Sequence, residues 1–497
     1  MELYVSEFSK YVITLLITLY TYECFAVFRY DNEEARNGIY IRQNILMFAF
    51  HFCSFLVICF ETGDFTYLFF YAFQQILLFT AIMLYRMIYP KANRLIVNNM
   101  CMLLSIGFVI LTRLDMKKAV KQFIIVAGSL AIALLIPFLI EKIRFLKKLK
   151  WIYALIGILA LSVVLILGQT TYGSKLSYSI GGVTFQPSEF VKILFFVASA
   201  LYEASGFLEV FTTAVVAAAH VIVLVISKDL GSALIFFVVY VLMVYVSTKN
   251  PLYVAAGAGG GAVAAYLAFK VFRHVQVRVQ AWKDPWSVID SAGYQITQSL
   301  FAISSGGFFG LGLYKGTPES IPTVEADFIF SAIAEELGIL FAVCLILICV
   351  SCFIMFMNIS IRLNDRFYQL IAFGLGVTYI FQVFLTIGGG TKFIPLTGVT
   401  LPLISYGGSS VLTTLMMFAI VEGLYVLRQK EIEEQMLLKR RRRPGSPNGA
   451  THRRPTTGRP ERPDRPVPVR SSYTEDDDFI EDWNESENEG EEFEGEE

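Results

Sequence analysis

Long apolar stretches separated by short polar ones recur along most of the chain. They run for roughly 18 to 25 residues, the length that a helix needs to cross a bilayer. Whole helical turns are apolar, whereas a helix of a soluble protein would show one apolar stripe. The pattern predicts thirteen membrane-spanning helices, three followed by ten, at about 9–29, 44–61, 66–88, 98–113, 120–140, 151–168, 189–203, 206–226, 232–247, 252–270, 327–357, 367–388 and 402–428.

The fold class that follows is an all-α polytopic membrane protein. Of the 497 residues 55% are hydrophobic, and the net charge is −1. The first residues contain neither a basic n-region nor a small-residue cleavage site, so we expect the first span to be retained. The four histidines are scattered singly, so no metal site built from histidine and cysteine is predicted.

Basic residues orient the predicted spans. Positively charged loops stay on the cytoplasmic side of a membrane, and an external N-terminus puts five basic clusters there, at 86–94, 142–150, around 249, 362–366 and 439–443. One short loop dissents, because it would carry Arg113, Lys117, Lys118 and Lys121 outside. Four polar segments then face the outside, at 168–189, 227–232, 271–326 and 388–410, so we expect any chemistry to be extracytoplasmic.

The composition changes abruptly near the C-terminus. Residues 439–470 are rich in arginine and proline, and residues 475–497 are acidic without lysine or arginine. Such a segment cannot bury enough apolar surface to fold, so 431–497 is predicted to be a disordered cytoplasmic tail. Its arginines suit anionic lipid headgroups. The rest divides into extra spans at 1–97 and a core at 98–430, which includes the outer loop 271–326.

Asp327 ends a polar segment and directly precedes a long apolar helix. Its carboxylate is therefore expected at a water–bilayer boundary, where it can meet a soluble headgroup and the lipid that carries it. The alternative is a helix cap, since aspartate accepts hydrogen bonds from the free N–H groups of a first turn. Glu335 and Glu336 lie about 12–14 Å deeper along the helix and are expected to pack internally.

Charged residues of other outer segments have a structural and a functional interpretation. Glu189 and Lys192 are three apart on one helix face, which suits an ion pair near the membrane; alternatively, Lys192 faces an anionic diphosphate. Arg278 lies near two tryptophans, which is typical of a membrane-edge anchor or of contacts to phosphate and sugar. The segment 227–232 is interpreted as a turn.

Two glycine-containing segments complete the predicted outer face. Residues 293–313 predict a short re-entrant or interfacial helix, and no strand precedes their glycines as a nucleotide fingerprint would require. Residues 394–410 contain two prolines and the adjacent Gly407 and Gly408. Non-helical backbone at membrane depth is tolerated where it lines a wet cavity or is buried in protein, so a lining role and a simple loop both remain open.

Five segments resemble, in their order along the chain, the motifs of one family: QPSEFVK, DLGSALIFF, GYQITQSLFAISSGGFFGLGL, DFIFSAIAEELG and PLTGVTLPLISYGGSS. This is the SEDS family, which includes RodA, FtsW and SpoVE, and the resemblance covers about 98–428. It implies a ten-span helical bundle, preceded here by about three extra helices. It also implies a peptidoglycan glycosyltransferase that polymerises lipid II into β-1,4 glycan strands at the outer face of the bacterial cytoplasmic membrane, during elongation, division or sporulation.

The resemblance also assigns residues. It implies that Asp327 is the catalytic aspartate and that Glu189 and Lys192 match the charged positions of the first motif. Further substrate-binding residues are expected to be Arg278, Gln298, Ser405 and Ser409. The chain departs from the family at Glu325-Ala326, where His-Thr is usual, at Thr386 in place of asparagine, and at Ser227-Lys228 in place of Gln-Pro.

The implied reaction joins the 4-hydroxyl of an acceptor N-acetylglucosamine to the anomeric carbon of a donor N-acetylmuramic acid, with inversion. Asp327 is the candidate base, because taking the hydroxyl proton accelerates such a step by about 10²–10⁴. The leaving undecaprenyl diphosphate needs positive charge, from Lys192, Arg278 or a divalent cation such as Mg²⁺ or Mn²⁺. Asp327 as a ligand of that metal is an alternative that the sequence leaves open.

The resemblance implies a class B penicillin-binding protein, a transpeptidase, as partner; membrane lipids are also expected as partners, and nucleic acid is not. Two other functions stay open. A flippase for lipid-linked sugars would also have many spans and buried charges, although the polar residues crowd one face and no inverted repeat is visible. A non-catalytic scaffold for cell-wall enzymes would explain the charged tail.

Overall fold

Helices account for nearly all of the structure, and a small sheet lies between two of them. The computed structural model describes residues 2–30, 32–142, 150–167, 169–171, 174–180, 183–190 and 207–442. Its helices are α1 (Glu2–Ala26), α2 (Glu33–Thr62), α3 (Thr66–Ile88), α4 (Arg94–Leu114), α5 (Met116–Lys142), α6 (Lys150–Leu167), α7 (Phe207–Ile226), α8 (Leu230–Thr248), α9 (Pro251–Val271), α10 (Arg273–Lys283), α11 (Tyr294–Gly306), α12 (Ile329–Ile361), α13 (Arg366–Gly390) and α14 (Gly408–Arg442). Three antiparallel strands, β1 (Gln169–Thr171), β2 (Ser174–Ile180) and β3 (Val183–Phe185), pair in the order β1-β2-β3.

The helices agree with the predicted spans. In the described residues ten helices are long and apolar enough to cross a membrane, and shorter apolar stretches lie in α6 and α7. Each predicted span within these ranges is largely helical, although the last helix begins at Gly408 and not at 402. The span at 189–203 lies mostly outside the described residues. The prediction of an all-α multi-pass membrane protein is confirmed. The apolar pattern does not predict the sheet, which forms in a polar segment with threonine, tyrosine and valine, residues that suit strands.

The last helix continues past the predicted start of the tail. The composition predicts disorder from 431, but α14 extends to Arg442. The sequence EIEEQMLLKRRR consists largely of good helix formers, and Lys430 just before it pairs with Glu141 of α5 at 2.6 Å. Residues 443–497, the rest of the predicted tail, lie outside the described residues.

The first three helices and the predicted core share one hydrophobic interior, within a compact unit from Met1 to Leu438. Helix α4 is buried along its length and packs on α2, α3, α5 and α12. Its Asn99 accepts a hydrogen bond from the Tyr20 hydroxyl of α1 at 3.0 Å and donates one to Ser351 of α12 at 3.1 Å. Polar groups inside a bilayer need such partners, so α1 supplies one of the hydrogen bonds that the Asn99 amide of α4 needs. The domain boundary at 97/98 stays a prediction.

Helix α12 bends at Gly338, whose φ of 87° and ψ of 168° are not helical. The carbonyl oxygens of Glu335 and Glu336, which a regular helix would use internally, accept hydrogen bonds from the N–H groups of Leu311 and Gly312, both at 2.9 Å. The loop after α11 is therefore fixed on α12. This contact also holds the first turns of α12, directly after Asp327.

Candidate active site

A cavity of about 570 Å³ lies where the predicted outer segments meet. It is lined by residues before 190, by the turn between α7 and α8, by α10 and α11, by the segment that precedes α12, and by the segment between α13 and α14. Its polar lining comprises Gln186, Glu189, Lys228, Asp229, Ser232, Arg278, Gln295, Thr323, Asp327, Thr397, Thr400, Ser409 and Ser410. The structure thus brings four of the predicted site residues together around one space: Glu189, Arg278, Asp327 and Ser409.

Asp327 is not a helix cap. Helix α12 begins after Phe328, and no side chain accepts a hydrogen bond from its first turn, so the capping interpretation is wrong. The Asp327 N–H donates to the carbonyl of Thr323 at 3.2 Å, which directs the side chain away from the helix and into the cavity. In the part of the chain that the structure describes, no hydrogen bond to the Asp327 carboxylate is formed, so its oxygens remain available to a substrate.

Two hydrogen bonds hold the backbone just before Asp327. The Tyr406 N–H donates to the carbonyl of Glu325 at 2.8 Å, and the Ser405 hydroxyl donates to the carbonyl of Ala326 at 2.5 Å. Ser405 also accepts from the Leu401 N–H at 2.9 Å. The segment between α13 and α14 therefore holds the backbone directly before Asp327 in place.

Arg278 of α10 supplies positive charge beside Asp327. Its Nη1 donates to the carbonyl of Thr397 at 3.2 Å, which keeps the guanidinium at the cavity wall. Burial raises the pKa of Asp327 to about 6; the Arg278 charge works against this rise, and the Glu325 charge adds to it. Burial lowers the pKa of Arg278, while Asp327 and Asp229 raise it. A carboxylate whose pKa lies near neutrality suits proton transfer.

The region that contains this cavity is similar in sequence to a known protein family. The model of the FtsW, RodA and SpoVE family, described as cell cycle proteins, matches residues 93–430. The chain belongs to this family. The match contains every element that lines the cavity, and the resemblance of the five sequence motifs is confirmed.

Two curated relatives illustrate the similarity. Peptidoglycan glycosyltransferase RodA of Mycobacterium tuberculosis strain H37Rv is 34% identical over 367 residues, which cover 67% of this chain and 77% of that protein. The probable peptidoglycan glycosyltransferase FtsW of Bacillus subtilis strain 168 is 30% identical over 323 residues, 61% of this chain and 80% of that one.

Solved structures show the same fold. The crystal structure of the rod shape determining protein RodA of Thermus thermophilus aligns with a TM-score of 0.51 at 24% identity, over 67% of this chain and 96% of that one. A chain of a peptidoglycan synthase complex, solved in work on the coordination of polymerization and crosslinking, aligns with a TM-score of 0.58 at 24% identity, over 68% and 98%.

The first motif of this family member lies partly outside the described residues. Glu189 is buried at the cavity and accepts a hydrogen bond from the Thr413 hydroxyl of α14 at 3.5 Å. Lys192 is not described, so its predicted pairing with Glu189 stays a prediction. Ser188, next to Glu189, donates to Asp229 Oδ2 at 3.0 Å, which joins this motif to the turn before α8.

The remaining predicted residues differ in their placement. Ser409 lines the cavity. Ser405 is 2% exposed, and its hydroxyl bonds to backbone only, so the structure places it behind the cavity wall. Gln298 of α11 is half-buried and not part of the lining, whereas Gln295, three residues earlier, is. The substrate-binding roles of these residues stay predictions.

Some lining residues are missed by the sequence interpretation. The turn interpretation of 227–232 is incomplete, because Asp229 caps α8 by accepting from the Ser232 N–H at 3.1 Å and also faces the cavity with Lys228. Thr397 and Gly398 lie in an apolar loop and carry no charge that would single them out. Gly398 has a φ of 73°, a backbone conformation that favours glycine. The residue type is therefore the feature that the sequence shows at this position.

Two cations of the loop that dissents from the predicted orientation of the spans have acidic partners. Arg113 Nε donates to Glu336 Oε1 at 2.9 Å, and its Nη1 bonds to Glu319. Lys118 Nζ donates to Glu325 Oε1 at 2.5 Å. Local carboxylates therefore neutralise Arg113 and Lys118, and Glu336 is packed internally as expected.

Proposed function

We propose that this chain is a peptidoglycan glycosyltransferase that polymerises lipid II at the outer face of the cytoplasmic membrane. The observation that carries the proposal is a carboxylate and a guanidinium facing one cavity, in a member of a family whose relatives bear that name. Asp327 would accept the proton of the acceptor 4-hydroxyl as that oxygen attacks the anomeric carbon. A single displacement would convert the α-linked donor into a β-1,4 product.

The positive side of the cavity suits the leaving diphosphate. This group already carries negative charge and needs no proton, so cations that stabilise it in the transition state favour departure. Arg278 is held toward the cavity by the Thr397 carbonyl, and Lys228 lines the same space. We assign diphosphate binding to Arg278 first, because its guanidinium can form two parallel hydrogen bonds to phosphate oxygens.

The donor set does not suit a resident metal ion at Asp327. Among the described residues no three histidine, cysteine, aspartate or glutamate side chains come together as metal ligands, and Asp229 is already engaged by Ser188 and Ser232. We propose that a divalent cation such as Mg²⁺ or Mn²⁺ enters with the diphosphate of the substrate, since Mg²⁺ binds mainly to substrate phosphates and water.

The sidedness and the partner follow as further parts of the proposal. Basic loops favour an external N-terminus, an extracytoplasmic cavity and a cytoplasmic tail, with the loop that carries Arg113, Lys117, Lys118 and Lys121 as the single exception. A class B penicillin-binding protein is the proposed partner. Support comes from the similar chain that belongs to a peptidoglycan synthase complex.

The test is polymerisation of lipid II by the purified full chain in liposomes. We expect Asp327→Asn to fold, insert and lose activity by about 10²–10⁴. Lys430→Met in α14, which breaks the pair with Glu141 at the far end of α5, is the active control. Glycan made by Asp327→Asn at the wild-type rate would overturn the assignment of the base. Transport of lipid II across the vesicle membrane without polymer would favour a flippase instead.

A further inference from the structure

Helix α5 contacts two segments, the one that directly precedes Asp327 and the one between α13 and α14. Lys118 lies in its first turn and bonds to Glu325 at 2.5 Å. Gln122, one turn later on the same face, donates to the carbonyl of Ser405 at 3.2 Å and accepts from the Gly407 N–H at 3.3 Å. One helical face thus holds the segment that carries Asp327 and the loop that braces it.

The Lys118–Glu325 pair is built into the fold. The Asp115 carboxylate caps α5 by accepting from the N–H groups of Lys117 and Lys118 at 2.9 and 3.2 Å, which fixes the start of the helix. Its second oxygen lies 3.8 Å from Lys118 Nζ. The Glu325 side chain is only 18% exposed, and its backbone carbonyl is bound to Tyr406. Neither partner is a free surface charge.

We propose that Lys118 is a positioning residue for Asp327, which holds Glu325 in place and cancels its negative charge two residues away from the proposed base. This inference rests on the proposed function, because it concerns the rate of that reaction. It also accounts for the departure at Glu325, where histidine is usual in the family. A second carboxylate so close to Asp327 needs a cation to compensate it, and α5 supplies one.

Several charged groups surround Asp327. Arg278 from α10, Lys228 and Asp229 from the turn before α8, and Glu189 line the same cavity, and Glu325 belongs to its own segment. His274 of α10 interacts with Arg278 and Lys228. The segment 394–410 contains no charged side chain. Of these groups, Arg278 lowers the pKa of Asp327 and Glu325 raises it. Because Lys118 is a cation bonded to Glu325, we expect its charge to oppose the effect of Glu325 on Asp327.

The experiment is the pH dependence of lipid II polymerisation by the full chain in liposomes. In Lys118→Met the Glu325 charge is uncompensated, the pKa of Asp327 rises, and the acid limb of the rate moves to higher pH by about half a unit. In Glu325→Gln the Lys118 charge remains and the limb moves to lower pH. The double variant K118M/E325Q is expected to lie near the wild type, and Lys118→Arg is expected to leave the limb in place.

A purely structural role would lower the rate without moving the limb, so opposite shifts in the two single variants identify the electrostatic effect. Lys430→Met is the matched control, because it breaks the Lys430–Glu141 pair at the other end of α5 and should leave the limb unchanged. Should Lys118→Met fail to insert, the exchanged pair K118E/E325K takes its place; it puts positive charge next to Asp327 and is expected to shift the limb to lower pH.

The outcomes separate the two proposals. Active single variants whose acid limbs coincide with that of the wild type would overturn the role of Lys118 and leave the proposed function intact. A wild-type chain that makes no glycan from lipid II under any of these conditions would overturn the proposed function, and this inference with it.

Discussion

The Asp327 carboxylate and the Arg278 guanidinium face the same backbone position, Gly398, from two different elements. A Cβ atom at Gly398 would lie 3.8 Å from Asp327 Oδ2 and 4.0 Å from Arg278 Nη2. The two groups form no ion pair within 4.0 Å in the described structure. The space between them is therefore bounded by a charge of each sign and by a residue without a side chain, which suits an attacking hydroxyl and a departing diphosphate on opposite faces of one anomeric carbon.

Gly398→Ala is expected to impair polymerisation more than stability. The φ of 73° at this position makes alanine unfavourable by about 1–2 kcal/mol, and the added methyl group would enter the space between base and guanidinium. We expect a fall in rate of about 10²-fold with a small decrease in the unfolding temperature. Lipid II polymerisation and thermal unfolding in detergent measure the two effects.

Gly63→Ala is the matched control for Gly398→Ala. Gly63 also has a positive φ, 64°, but a Cβ there would meet nothing within 4 Å, and the residue does not line the cavity. It should show the strain of a left-handed residue with near-normal activity. Equal loss of activity in both variants would mean that strain alone explains the Gly398 result.

The rate is expected to decline as the pH falls through about 6. Asp327 must be ionised to take a proton, and burial raises its pKa to about 6, so protonation below that pH removes the base.

Arg278 opposes this rise in the pKa of Asp327 because its positive charge favours the ionised form. Arg278→Met should move the acid limb of kcat/KM to higher pH, besides lowering the rate, whereas Arg278→Lys keeps the charge and should leave the limb near its wild-type position. Initial rates between about pH 5 and 8 test this; a limb near pH 4 in the wild type would contradict it.

Much of the fold follows from the sequence because a membrane imposes simple rules. Apolar runs of sufficient length predict the helices, and the polar boundary before an apolar run singles out Asp327. The resemblance also names Glu189 and Ser409 as site residues, and both line the cavity that Asp327 faces, while their roles stay predictions.

What the sequence does not give depends on packing between distant segments. Glu325 and Lys118 are 207 positions apart, and nothing local to either residue indicates the other. Gln295 and not Gln298 lines the cavity, and which of the two does so depends on how α11 packs on α12. Ser405 resembles a substrate ligand in the motif, but a neighbouring carbonyl takes its hydroxyl. In each case the sequence shows the residue type, but the direction in which the side chain points depends on how the helices pack.

Arg113→Met is expected to destabilise the protein strongly. Arg113 and Glu336 are 5% and 1% exposed at their side chains and lie 2.8 Å apart, so loss of the cation leaves a buried carboxylate without its charge partner. Such a loss typically costs about 3–5 kcal/mol. The double variant R113M/E336M removes both charges and should recover part of that stability, as measured by thermal unfolding in detergent.

Lys430→Met serves as the control for the Arg113 series. Lys430 of α14 pairs with Glu141 of α5 at 2.6 Å, and both side chains are 41% exposed. Exposed pairs contribute below about 1 kcal/mol. A decrease as large as that of Arg113→Met, or a double variant less stable than the single one, would argue against burial as the cause.

Removal of residues 1–92 is expected to destabilise the core through polar groups. Apolar faces of α4 would meet lipid at little cost, but Asn99 would lose the Tyr20 hydroxyl, and Asn98 would lose Gln43 Oε1, its partner at 3.0 Å. Unsatisfied amides in hydrocarbon cost several kcal/mol each. We therefore expect little folded protein from the truncated chain, as measured by size-exclusion chromatography of a fluorescent fusion. Adding Asn98→Leu and Asn99→Leu to the truncated chain should restore folded protein.

In the full-length chain the same two changes should be harmful, because Gln43 and Ser351 then lose their partners. A truncated chain as abundant and stable as the intact one would show that α4 does not depend on these helices.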